Sequence, residues 1–272
     1  MKKLLFFINT LHTGGAERVL TDLVSRLPRD EYEITVQTLI GGHYEGELPE
    51  GVSVRRIIRT GIPALDHLLF RVLSKLPKLT GALFVRNDYD IEIAYLEGFP
   101  TKVIASRSRS RAKKIAFVHI DVAVIDLISP QYADRAECAA QYSRFDEVCF
   151  VSEQARDGFF KVFGPPEHTE VVHNVINYDR IRTQALAPPP ANSYTTKGLK
   201  LISIGRLARQ KGFDRLIRIC AELEKEFDFE LLILGGGEMQ QTLEAAIAES
   251  GAKSVRLPSL WKYRSMRVMT SR

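Results

Sequence analysis

Residues 200–213 read KLISIGRLARQKGF. The apolar run Leu201–Ile204 predicts a buried strand. Gly205 then turns the chain, Arg206 and Lys211 follow five residues apart, and Gly212 precedes a segment with helical apolar spacing. Arginine grips phosphate oxygens with two parallel bonds, lysine adds a point charge, and the N–H groups that open a helix add partial positive charge. The stretch therefore predicts a strand–turn–helix connection of an open α/β sheet. Arg206 and Lys211 would face a diphosphate at the carboxyl end of the strand, where such sheets bind ligands.

The same rhythm extends in both directions. Downstream, Phe213–Phe227 predicts a helix, Phe229–Leu234 a strand, Glu238–Ser250 a helix and Ser254–Leu257 a short strand. Upstream, residues 185–198 (ALAPPPANSYTTKG) have the proline-rich, polar composition of a linker. Before the linker, Lys3–Ile8, Glu33–Leu39, Val52–Ile58, Ile91–Tyr95, Lys114–Val118, Glu147–Val151 and Glu170–His173 predict strands. A helix is predicted over Gly15–Leu27, where Ala16, Val19, Leu20, Leu23, Val24 and Leu27 share one face and Pro28 ends the pattern. Alternating strands and helices imply parallel, right-handed βαβ units. The expected domains are an α/β domain over 1–184, the linker 185–198, a smaller α/β domain over 199–257, and a basic tail over 258–272.

Composition bounds the class. The 272 residues are 45% hydrophobic and 26% charged, ordinary for a globular protein. Cys138, Cys149 and Cys220 are scattered, with neither metal-ligand nor disulfide spacing, which fits a reducing, cytoplasmic setting. The apolar run in MKKLLFFIN is too short for a signal peptide, and no run approaches the roughly 18 residues of a spanning helix. The net charge of +5 is uneven: residues 55–114 hold 13 Lys/Arg against 5 Asp/Glu, and residues 251–272 hold 6 Lys/Arg and no acid.

Further candidates lie at strand ends. Gly14 and Gly15 join the first strand to the first helix and permit close approach of a ligand to the backbone. Gly235, Gly236, Gly237 and Glu238 form a similar turn in the second half. His119, beside Asp121, ends the strand Lys114–Val118. The run Ser106–Arg111 (SRSRSR) predicts a solvated turn or a patch facing anionic lipid, because aromatic residues for nucleic-acid stacking are not interleaved. Residues 65–86 are apolar on one side and basic on the other, which suits either a membrane surface or a core-packed helix pair. Nucleophile-elbow, zinc, P-loop and kinase motifs are absent, and a dinucleotide site lacks its GxGxxG and downstream acid.

Together these residues resemble glycosyltransferase family 4, the retaining GT-B enzymes that use nucleotide sugars. The resemblance rests on Gly14–Glu17, His119–Asp121, Val151–Glu153, Ser203–Leu207 with Gln210–Gly212, and Gly235–Glu238, in order; Val171–Asn177 matches loosely. It implies two Rossmann-like, parallel-sheet domains facing a cleft, the second incomplete. Arg206 and Lys211 would hold the donor diphosphate, Gly14 and Gly15 would approach the same phosphates, and His119 would lie near the donor sugar in a catalytic role. Gly235–Glu238 would form a donor-site loop. No metal or other cofactor is implied, since the nucleotide sugar is a co-substrate. The acceptor would be a sugar or lipid-linked hydroxyl in polysaccharide or glycolipid synthesis, with an anionic membrane surface met through residues 65–114, peripheral on the inner membrane face, and no nucleic-acid partner.

The chain departs from the family after residue 251. The family's two glutamates, eight positions apart, and its closing helix have no counterpart there. The expectation is a truncated, inactive form with an aberrant tail. The competing expectation is a non-catalytic interaction protein that keeps the acceptor domain.

Overall fold

A computed structural model describes residues 1–12, 14–186 and 195–258. The core of the expected linker and the tail from residue 259 lie outside the described residues, as does Thr13. The chain divides into two compact units, Met1–Asn177 and Tyr178–Arg272.

In the first unit the elements are β1 (Lys2–Ile8), α1 (Gly15–Val24), β2 (Tyr32–Thr38), β3 (Ser53–Arg56), α2 (Pro63–Leu73), α3 (Pro77–Phe84), β4 (Ile91–Ala94), α4 (Phe99–Ala105), β5 (Lys113–Val118), α5 (Arg135–Tyr142), β6 (Glu147–Phe150), α6 (Glu153–Phe163) and β7 (Thr169–Val171). All seven strands pair in parallel, in the order β3-β2-β1-β4-β5-β6-β7. Their apolar runs are buried because helices cover both faces, giving two clusters. One contains Leu5, Phe7, Ala116, Phe150 and Phe159; the other contains Leu4, Phe6, Leu20, Ile34 and Tyr95. The chain first winds outward from β1 to β3, then restarts beside β1 at β4 and winds the other way. The carboxyl ends of β1 and β4 thus flank a topological switch point, where the diverging connections leave a crevice.

The second unit contains α7 (Tyr178–Ala185), β8 (Leu199–Ile204), α8 (Phe213–Leu223), β9 (Phe229–Leu234), α9 (Gln240–Ser250) and β10 (Val255–Arg256). Its sheet has the order β10-β9-β8, again parallel. Leu201, Phe213, Ile217, Leu231, Ile233 and Leu243 pack its core.

Three expectations change. The strand β8 is only half buried: Ile202 is 54% and Ile204 71% exposed, because alternate side chains face away from the α8 side where Leu201 packs. The helix α1 stops at Val24, where Ser25 N–H bonds Thr21 and Ser25 Oγ bonds the same carbonyl. Arg107, expected on a solvated or lipid-facing turn, is buried. It forms an ion pair with Glu92 (2.8 Å) and donates to the carbonyls of Gly81, Val85 and Arg86. That single side chain satisfies carbonyls at the end of α3, which a buried helix terminus requires.

Candidate functional site

At the switch point, three strand ends contribute. After β1 the chain runs through Asn9–His12 to Gly14, which caps α1 in an extended conformation. Gly42, after β2, lies so close that a Cβ there would stand 2.1 Å from the Leu11 carbonyl carbon. Arg18 ties α1 to that second loop by pairing with Asp22 and Glu47. After β4, the buried carboxylate of Glu97 accepts from the N–H groups of His119 and Ile120. Gly98 follows with φ 78°, a left-handed conformation that favours glycine, and opens α4.

His119 sits at the end of β5 with its ring 5.0 Å from that of Tyr95 and 6.0 Å from that of Phe117. Burial pushes its pKa down to about 4, although a bond with the Tyr95 backbone opposes this. The ring is therefore neutral near pH 7, and its Nε2 is buried with no hydrogen-bond partner among the described residues. Asp121 does not pair with it: Asp121 accepts from Ala123 N–H (3.0 Å) and lies against Gly158. Burial raises the Glu97 carboxyl, while the His119 and Ile120 N–H bonds lower it. Sequence analysis missed Glu97; its signal is an acid followed by glycine at a strand's carboxyl end.

Beside these loops lies a cavity of about 780 Å³, lined by His12, Gly41, Glu45, Arg56, Arg59 and Asp66 among others. Arg56 is held by Glu45, and Asp66 accepts from Thr60. The mixture of carboxylates, guanidinium groups and imidazole can bond hydroxyl groups from several sides.

In the second unit, two loops are stitched together. Gly205 N–H bonds Leu234, Leu207 N–H bonds Gly236 (2.9 Å), and Met239 N–H bonds Leu207 (2.9 Å). Arg206 and Lys211 emerge exposed from the first loop, at the carboxyl end of β8, and neither has an acidic partner among the described residues. The Lys211 stem lies alongside Gly205, 3.7 Å from where a Cβ would stand. Gly212, at φ 64°, lets the chain turn directly into α8. The Gly235–Glu238 expectation changes in its cause. A Cβ on Gly235 would lie 1.8 Å from the Gly205 carbonyl oxygen, and one on Gly237 2.5 Å from that of Leu207. These two glycines admit the neighbouring loop; Glu238 itself is exposed.

Comparison with known proteins adds the family. Residues 13–180 match the model of Glycosyltransferase Family 4, and residues 190–258 match that of Glycosyl transferases group 1. An uncharacterized glycosyltransferase of Methanocaldococcus jannaschii is 23% identical over 251 residues, covering 88% of this chain and 64% of the relative's length. A Campylobacter jejuni alpha-1,4-N-acetyl-D-galactosaminyltransferase is 24% identical over 263 residues, covering 93% of this chain and 67% of its own. Anabaena HepE, crystallised with UDP and glucose, superposes with a TM-score of 0.64 at 18% identity, covering 94% of this chain and 68% of that one. The chain thus spans about two thirds of these relatives, 64% of the archaeal one. With a GT-B-type α/β fold and a family match across more than half its length, the chain belongs to glycosyltransferase family 4.

Proposed function

We propose that this protein moves a sugar from a nucleotide-sugar donor to a hydroxyl of a sugar or lipid-linked acceptor, with retention of anomeric configuration, in polysaccharide or glycolipid synthesis. Arg206 and Lys211 hold the donor diphosphate, and the N–H groups opening α8 add partial positive charge. Together they offset the charge that grows on the leaving group, so the scheme uses no cofactor and no metal. Gly14 and Gly15 keep the β1–α1 turn bare, so that a phosphate can approach its backbone. Neutral His119 offers its Nε2 to a donor-sugar hydroxyl, and the cavity at Glu45, Arg56 and Asp66 takes the acceptor. The protein works in the cytoplasm, at an anionic membrane surface met through residues 65–114.

The observation that carries this reading is the pair Arg206 and Lys211, exposed and without acidic partners among the described residues, on a glycine turn at a strand's carboxyl end. Two relatives support the ligand classes: HepE holds UDP and glucose, and the Campylobacter transferase is named for a diNAcBac-PP-undecaprenol-based acceptor. Titration calorimetry with UDP tests it. Arg206→Ala and Lys211→Ala each weaken binding by roughly ten-fold or more, the worth of one charge-assisted bond, while exposed Lys197→Ala changes little. Equal affinity in all four proteins removes the pair from the site.

A further inference from the structure

The connections that leave β1 and β4 diverge at the switch point, and a cavity of about 570 Å³ lies between them. Asn9, directly after β1, and Phe99, the first residue of α4, form part of its wall. Lys75, between α2 and α3, Lys78 in the first turn of α3, Lys102 of α4 and Gln141 of α5 form the rest with others. This cavity shares no lining residue with the one at Glu45 and Arg56. Lys75 and Lys78 are exposed, with no ion pair among the described residues. Lys102 is fixed, donating to the Gln131 carbonyl and lying 4.3 Å from the Tyr132 ring centroid. The one carboxylate on this wall, Glu137, accepts from Ala133 N–H (2.6 Å). Asn9 Oδ1 and Gln141 Oε1 are buried without a hydrogen-bond partner among the described residues.

Three lysines against one occupied carboxylate favour a multiply charged anion. The volume lies within the range of small-molecule sites and exceeds what bare phosphate fills. A buried carbonyl oxygen left without a donor is costly, so Asn9 and Gln141 call for hydroxyl groups on the same ligand. The exposed leucines of α2 and α3 (Leu65, Leu68, Leu79 and Leu83) do not line the cavity, so its wall offers no track for a hydrocarbon chain and the ligand is soluble. Anion, hydroxyls and solubility together define one class. We infer that this cavity binds a soluble phosphorylated sugar, its phosphate on Lys75 and Lys78 and its hydroxyls on Asn9 and Gln141. The site is additional to the donor pair and the acceptor cavity of the proposed function, so UDP binding reports on that reading independently.

Titration calorimetry at fixed ionic strength tests it, with glucose 6-phosphate, glucose 1-phosphate, inorganic phosphate and glucose as probes. The wild type binds at least one sugar phosphate roughly ten-fold or more tightly than inorganic phosphate or glucose, because only that ligand satisfies lysines and amides together. Lys75→Gln with Lys78→Gln weakens sugar phosphate binding about ten-fold, the loss expected of two partly exposed cations. Arg109→Gln with Arg111→Gln, exposed cations of the same basic segment outside the cavity wall, leaves it nearly unchanged. Gln141→Leu removes the amide at similar volume, and it weakens the sugar phosphate while leaving inorganic phosphate unaffected. Arg206→Ala keeps full sugar phosphate affinity while losing UDP. Thermal unfolding without ligand checks that each variant folds, and the exposed lysine pair carries the test should Gln141→Leu not fold. Inorganic phosphate bound as tightly as both sugar phosphates overturns the sugar part of the site. Equal losses in the two cation variants overturn the cavity in favour of diffuse charge. Loss of sugar phosphate binding in Arg206→Ala overturns it by placing the ligand at the donor pair, and silence from every probe overturns the site outright.

Discussion

His119 stays neutral in the fold because its ring is enclosed by Tyr95 and Phe117 at the end of β5. Its pKa falls from 6.5 to about 4, so protonation favours the unfolded chain. The associated stability is fully present above pH 6.5 and is lost as pH falls toward 4; over that window the shift is worth about 3 kcal/mol as an order of magnitude. Glu97 works in the opposite sense, since burial raises its carboxyl and favours the fold at low pH. Comparing wild type with His119→Gln isolates the histidine, because Glu97 is common to both. Denaturant unfolding between pH 7 and pH 4 should show a steeper loss in the wild type. Parallel curves would mean that the imidazole is already solvated. A strand-terminal His119 was legible in the sequence, but Glu97 and the burial of Arg107 were not. Both depend on partners brought from far along the chain: Glu97 meets the His119 backbone, and Arg107 meets Glu92 and the end of α3.

Among elements, the strands were legible because parallel strands buried on both faces become continuous apolar runs. The predicted run Leu201–Ile204 lies within the observed β8, Leu199–Ile204, and the predicted Phe229–Leu234 coincides with β9. The glycine turns were legible as turns but not in what they approach. The second unit's loop pair depends on Gly235, where a Cβ would strike the Gly205 carbonyl oxygen at 1.8 Å. Gly235→Ala must therefore push the two loops apart and break bonds such as Leu207 N–H to Gly236. We expect a loss of about 1–3 kcal/mol in unfolding free energy, the range for overpacking against fixed backbone, together with weaker UDP binding, because the Arg206 turn moves. For the stability readout, Gly15→Ala is the matched control, since nothing lies within 4 Å of a Cβ there. A Gly235→Ala protein with wild-type stability would show that the loops separate freely.

Across the whole molecule, charge and apolar surface are segregated. The basic surplus of residues 55–114 accompanies the exposed leucines of α2 and α3, although Arg107 has been drawn inside. The second unit carries a different apolar surface. Leu199, Ile202 and Ile204 of β8 are 62%, 54% and 71% exposed, and Ile219 and Phe227, on and just after α8, are 55% and 59% exposed. Apolar surface of this extent makes self-association its expected fate in solution. Ile202→Thr with Ile204→Thr keeps β-branched side chains on the strand and removes apolar surface already facing water. The double variant should unfold within about 0.5 kcal/mol of the wild type, as surface substitutions do. It should also scatter less light at high concentration. A destabilisation of several kcal/mol would instead show that this face is covered in solution, because burying an isoleucine is worth about 1.5–3 kcal/mol and two such losses could not pass unnoticed.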